Sequence, residues 1–248
     1  MSAPELQNFD FEGRRIACRL REGGSPTLIF LPGYASDMEG SKAVALDSLA
    51  QERGISMLRL DYSGTGSSGG NFEEGTLGRW LKEALAAIDR LTEGPIIVIG
   101  SSMGGWIALH LALLRPERVR ALVGIAAAPD FTHWGFSEDQ KAALQHQPRI
   151  EEPNPYGPEP RVFTREFFES GERLRLLDEE VAVDCPVRLL HGDMDKEVPL
   201  EIGFRLMRRL RSSDVQLRVL KGGGHRLSEP HEIRAILNTV QALLEPLA

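Results

Sequence analysis

Short apolar runs and helix-period segments take turns along most of this chain, and that alternation restricts the fold more than any other feature. TLIFLPG (27–33), ISMLRLD (55–61), PIIVIG (95–100), VRALVGIAAA (119–128), CPVRLLHG (185–192) and VQLRVL (215–220) read as strands. The segments 41–53, 76–92, 103–114, 199–211 and 231–245 read as helices. In 76–92 the stripe is Leu77, Trp80, Leu81, Ala84, Leu85 and Ile88, and in 41–53 it is Val44, Leu46, Leu49 and Ala50. A strand that alternates with a helix crosses over to reach a parallel neighbour, so the expectation is an α/β class with a mostly parallel central sheet and helices on both faces. Strands buried on both faces are continuous apolar runs, which puts PIIVIG at the sheet centre. RRIACRL (14–20) precedes this pattern and is expected to pair antiparallel with a neighbour.

One stretch breaks the rhythm. Between Pro129 and Asp184 no strand–helix unit is legible; two helix-like pieces, about 137–147 and 164–180, flank the loop QPRIEEPNPYGPEPRV. An interruption of this kind reads as a cap insertion at about 129–184, within one domain spanning 1–248. A plain surface excursion is the alternative.

Bulk properties narrow the partners. A chain of 248 residues with formal charge −7 offers no overall basic field for nucleic acid or an anionic membrane. No apolar run approaches the roughly 20 residues of a membrane helix. The start, MSAPELQNFDFE, has no apolar core and is neither signal nor transit peptide, so a cytoplasmic enzyme is expected. Cys18 and Cys185 lie far apart in apolar surroundings, as buried inert thiols do.

Gly100-Ser101-Ser102-Met103-Gly104 follows the pattern G-x-S-x-G, between the strand at 95–100 and the helix at 103–114. A sharp strand-to-helix turn holds its central residue in a strained conformation, so its flanks must be small. Such a turn lifts the Ser102 hydroxyl clear of the sheet and aims the first helix amide, that of Met103, at an oxygen developing negative charge. The plainer alternative is Ser102 as a helix cap.

A serine hydroxyl needs a base. Of the histidines at 110, 133, 146, 191, 225 and 231, His225 stands on the glycine-rich loop after the last strand, where an imidazole can swing over the elbow. His191, at a strand end before a glycine, suits a structural hydrogen bond. The acid that orients the base is assigned to Asp195 in HGDMDKEVP, with Asp193 as a turn-former and Asp130 as an outside candidate. The loop Pro32-Gly33-Tyr34-Ala35-Ser36 follows strand TLIFL, so the Tyr34 amide is the expected second oxyanion donor. Asp61 is expected to brace its own loop.

These residues resemble the α/β-hydrolase family, and within it a subgroup of acyl-glucuronide esterases and depalmitoylating thioesterases. FLPGYASDMEGSKA, DYSGTGSSGGNFEEGTLGRW, GSSMGGW, LLHGDMDKEVP and the GGGHR loop carry the resemblance, which covers most of the chain outside 129–184. It implies Ser102, Asp195 and His225 as a triad, without metal or organic cofactor. It also implies hydrolysis of carboxylic esters, acyl glucuronides or S-acyl thioesters, on a small molecule or an acylated protein. The absence of a presequence suits a bacterial relative. Lactone or C–C bond hydrolysis and perhydrolysis use the same scaffold, and a catalytically silent binding module is the non-enzymatic alternative. Within the cap, Phe131, Trp134, Phe136, Tyr156, Phe163, Phe167 and Phe168 either line an acyl pocket or form the cap's own core. Arg149, Arg161 and Arg165 either grip a carboxylate or are solvated.

Overall fold

The computed structural model describes residues 4–245. The chain opens with β1 (Leu6–Phe11), β2 (Arg14–Arg21), β3 (Gly24–Leu31), α1 (Ser41–Arg53) and β4 (Ile55–Leu60). It continues through α2 (Leu77–Leu91), β5 (Ile96–Ser101), α3 (Met103–Leu114) and β6 (Val119–Ile125). The interrupting stretch holds α4 (Phe131–Trp134), α5 (Glu138–His146), β7 (Arg149–Glu152), β8 (Arg161–Thr164) and α6 (Arg165–Arg173). Then come β9 (Val187–Gly192), α7 (Leu200–Arg209), β10 (Val215–Leu220) and α8 (Pro230–Leu244).

Eight strands form one sheet in the order β1-β2-β4-β3-β5-β6-β9-β10. β1 pairs antiparallel with β2 and β2 with β4; from β4 to β10 every pair is parallel. β5 is buried along its whole length, as its apolar sequence predicts. Its side chains divide by parity: Ile96 and Val98 pack with Trp80, Ile107 and Leu111 of α2 and α3, and Ile97 and Ile99 pack with Leu46 of α1 and Ile236 of α8. Helices therefore cover both faces. Among the described residues, no helix is long and apolar enough to cross a membrane.

Several elements differ from their sequence signals. Val44 faces outward, and α1 buries Asp47 instead. The carboxylate is satisfied there by Arg21, whose Nε and Nη2 donate at 3.0 and 2.7 Å, and paired burial of a charge is tolerated where an unpaired one is not. β1 escapes an apolar reading because LQNFDF is held by a hairpin turn, Glu12-Gly13, with both φ positive. The β7–β8 hairpin escapes it too: RIEE and RVFT alternate weakly, and the proline-rich loop is its connection. α6 stops at Arg173, short of 180, and β6 at Ile125.

The interrupting stretch is fastened at its return. Buried Asp130 accepts from the amides of Leu176 and Leu177 at 2.8 and 2.7 Å. Trp106 Nε1 and His110 Nε2, both on α3, donate to the Leu174 carbonyl at 3.0 and 2.9 Å. Burial lowers the His110 pKa, which suits a neutral ring with its proton on that bond. Cys18 and Cys185 are free, and burial pushes both thiols up to about 11, so neither ionises near neutrality.

Candidate active site

Ser102 lies between β5 and α3 with φ 54° and ψ −119°, a positive-φ conformation rare for a side-chain-bearing residue. The elbow is clamped from both sides. The Ser102 amide donates to Ile125 O at 2.9 Å, and the Ser102 carbonyl accepts from Ala128 N at 3.1 Å. Glycine is required around it by close approach: a Cβ on Gly100 would stand 2.2 Å from Gly104 O, and one on Gly104 would stand 2.1 Å from Leu31 O. Strain at the serine is thus held by backbone packing that only small neighbours permit.

The loops after β9 and β10 converge on this turn. His225 Nδ1 is 2.9 Å from Asp195 Oδ2, and His225 Nε2 is 3.0 Å from Ser102 Oγ. A carboxylate only accepts, so Nδ1 carries the proton and Nε2 is left to accept from the Ser102 hydroxyl. Burial alone would raise the Asp195 pKa. Bonds from His191 and His225, the positive character of His225 and the Val198 amide outweigh it and hold the carboxyl well below the usual range. Its other oxygen, Oδ1, accepts from the amides of Glu197 and Val198, each at 2.9 Å. Asp193 accepts from Gly222 N, and Met194 N donates to Gly223 O, so the acid loop and the base loop are tied together. Asp130, committed to the return of the interrupting stretch, takes no part.

The loop after β3 completes the wall. A Cβ on Gly33 would stand 3.3 Å from Ser102 Cβ, so this loop and the elbow touch. Met103 opens α3, where the amide has no acceptor within the helix, and the Tyr34 amide donates to no group among the described residues. The Tyr34 ring stacks on Phe163 at 4.8 Å and meets Phe167 edge-on at 4.8 Å, while its hydroxyl donates to Val162 O of β8. The loop is thereby attached to the interrupting stretch. Asp61 accepts from Met38 N and Ser67 N at 2.7 Å each, the brace its position suggested.

Ser102 and His225 line a cavity of about 620 Å³. Phe131, Trp134, Phe136 and Phe163 form one wall, and Tyr156 stands on another part of the lining. Phe167 sits behind them in the ring cluster, and Phe168 packs on Phe136 away from the cavity, so the aromatics of this stretch serve both as wall and as its own core. Of the three arginines, only Arg161 lines the cavity, where it is paired with Glu197 at 2.8 Å and Glu152 at 3.7 Å. Arg149 pairs with Glu73 and Glu151, and Arg165 Nε donates to Leu144 O at 2.6 Å. Neither reaches the cavity.

Sequence reasoning passes over Lys42 and Arg226, which also line the cavity. Arg226 has a signal, since it follows His225 directly; Lys42 has none, because the first turn of α1 meets the site only in three dimensions. His191, expected to make a structural hydrogen bond, is buried and donates from Nε2 to the Val198 carbonyl at 2.9 Å.

Known proteins resemble this chain in both sequence and fold. The family model of the alpha/beta hydrolase family matches residues 28–236. The human protein named palmitoyl-protein thioesterase ABHD10, mitochondrial, is 38% identical over 253 aligned residues, covering 100% of this chain and 80% of that protein. The structure of mouse alpha/beta hydrolase domain-containing protein 10 superposes with a TM-score of 0.92 at 36% identity, covering 98% of this chain and 100% of that one. A crystal structure from Agrobacterium vitis S4 superposes with a TM-score of 0.92 at 39% identity, covering 97% of this chain and 99% of that one. The ABHD10 relatives are named as mitochondrial, so they do not confirm the cytoplasmic compartment expected from the N-terminal segment. With the family model covering most of its length, and with full-length likeness in both sequence and structure, the chain belongs to the alpha/beta hydrolase family.

Proposed function

We propose that this chain is a serine hydrolase that cleaves carboxylic esters and S-acyl thioesters, acyl glucuronides among them, through an acyl-Ser102 intermediate. The observation that carries the reading is the unbroken line from Ser102 Oγ through His225 to Asp195, with contacts of 3.0 and 2.9 Å, at the floor of an aromatic-walled cavity. The thioesterase name of the ABHD10 relatives supports the acyl-thioester part.

In this mechanism Ser102 Oγ attacks the acyl carbon while its proton passes to His225 Nε2, and Asp195 stabilises the imidazolium. The amides of Tyr34 and Met103 hold the oxyanion. His225 then returns the proton to the departing alcohol or thiol. Water, deprotonated by the same nitrogen, attacks the acyl-enzyme and releases the acid. Residues 129–184 act as a cap within a single domain and supply the aromatic wall for the acyl chain.

The test is kcat/KM on short and long p-nitrophenyl esters, an S-palmitoyl peptide and an acyl glucuronide, with Ser102→Ala as control. Turnover abolished by that substitution, together with fluorophosphonate labelling of Ser102, is expected. Turnover that survives it would sink the reading.

A further inference from the structure

The charges lining the cavity are not shared evenly. Four side-chain cations (Lys42, Arg161, Lys196, Arg226) and three carboxylates (Asp37, Glu152, Glu197) face it, on a chain whose formal charge is −7. Arg161 takes up Glu152 and Glu197. The other three cations form no ion pair with a carboxylate among the described residues: Lys42 Nζ donates to the Arg226 carbonyl, and the Arg226 guanidinium lies 4.8 Å from the centre of the Tyr156 ring. That leaves Asp37 as the one cavity carboxylate not already paired among the described residues, against three free cations.

Those three cations gather where the departing group must pass. His225 Nε2 hands its proton to that group, so the group leaves past the His225 loop. Arg226 is the next residue on that loop, its carbonyl holds Lys42, and Lys196 follows Asp195 on the neighbouring loop. The aromatic wall of Phe131, Trp134, Phe136 and Phe163 comes from a different stretch of the chain, which reaches these segments through Tyr156, under Arg226, and through Arg161, on Glu197. Gly40, Ser41 and Lys42, at the start of α1, also line the cavity. That helix has no side-chain cap and no acidic residue in its first turn, so the positive end of its dipole is not neutralised locally. Burial first, and Arg226 second, lower the Lys42 pKa to about 8 against a smaller opposing pull from Glu232, so Lys42 remains a cation at neutral pH.

We infer that the leaving-group side of the cavity is an anion subsite, formed by Lys42, Lys196 and Arg226, which selects S-acylated peptides carrying acidic residues beside the acylated cysteine. The inference rests on the hydrolase reading above. A peptide suits the site because the cations come from three separate segments, and Lys196 and Arg226 are exposed at the rim, so they reach more than one carboxylate. A favourable rim charge acts on encounter and on KM more than on the chemical step.

The experiment compares S-octanoyl peptides identical except for the residues flanking the cysteine, which are Glu, Gln or Lys. In the wild-type protein kcat/KM for the Glu peptide is expected to exceed that for the Lys peptide on the order of tenfold at low salt, with the ratio shrinking towards about two as salt screens the rim. In Lys42→Gln and in Arg226→Gln the ratio is expected to fall about threefold or more. Because each ratio is taken within one protein, an overall loss of activity cancels from it. Equal rates on all three peptides, or a ratio unchanged in both variants, would overturn the subsite and leave the hydrolase reading standing. No turnover of any peptide or of a neutral p-nitrophenyl ester would overturn both.

Discussion

His191 Nε2 lies 2.9 Å from the carbonyl oxygen of Val198 and 3.4 Å from Asp195 Oδ2, so the carboxylate that meets His225 is backed by a second, buried imidazole. A carbonyl only accepts, so Nε2 carries the proton. At 3.4 Å the contact to Asp195 is a long, weak bond beside the one to Val198, and together they hold the turn from Asp195 to Val198. His191→Phe keeps the ring and removes the proton. It is expected to lower kcat about tenfold with KM within about twofold, the signature of a lost positioning contact rather than lost binding. A proportionate rise in KM with kcat intact would argue against this role.

Asp195→Asn is expected to lower kcat by a factor on the order of 10³–10⁴, because an amide facing Nδ1 favours the wrong imidazole tautomer. It also bears on acid stability. A carboxyl held below its unfolded value contributes stability that is fully present above about pH 4 and is lost as pH falls towards the folded pKa. The wild-type protein should therefore lose stability more steeply than Asp195→Asn below about pH 4, as read by denaturant midpoints at a series of pH values. Parallel curves would contradict the depressed pKa.

Gly104→Ala places a methyl group 2.1 Å from Leu31 O and 2.6 Å from Pro32 O, backbone atoms that cannot swing away. The expected result is a loss of about 3 kcal/mol or more, seen as insoluble protein or a collapsed melting temperature. A well-folded Gly104→Ala protein would show that the elbow is looser than its contacts indicate.

Asp130→Ala orphans two buried amides, those of Leu176 and Leu177. The expected destabilisation is about 2–4 kcal/mol, with limited proteolysis first entering the 129–184 stretch. A melting temperature close to that of the parent would mean that water replaces the carboxylate without penalty.

How much the sequence reveals follows from range. The strand–helix alternation, the elbow around Ser102 and the loop motifs that hold Asp195 and His225 are each written in contiguous residues, and those elements are legible. Asp130 ranks only as an outside acid in the sequence, because its real partners lie 46 and 47 residues away and form no local pattern. The β7–β8 hairpin is hidden by charge: RIEE lacks apolar alternation and is held by its partner strand and by ion pairs of Arg149 and Arg161. Helical periodicity assigns Val44 to the core and omits Asp47, since it cannot foresee an Arg21 that arrives from β2. Lys42 gives no sign at all, because its place at the cavity depends on how α1 meets a loop 184 residues later.

The separation between Ser102 and His225 is 123 residues, while Asp195 and His225 are 30 apart. During synthesis the turn that strains Ser102 can form while the ribosome is still far from the codon for His225. On the proposed reading, the nascent chain carries an unarmed serine through about half of its translation, and the base and its acid arrive together, on the loops after the last two strands of the sheet. On that reading the site is completed only when the final strand pair docks.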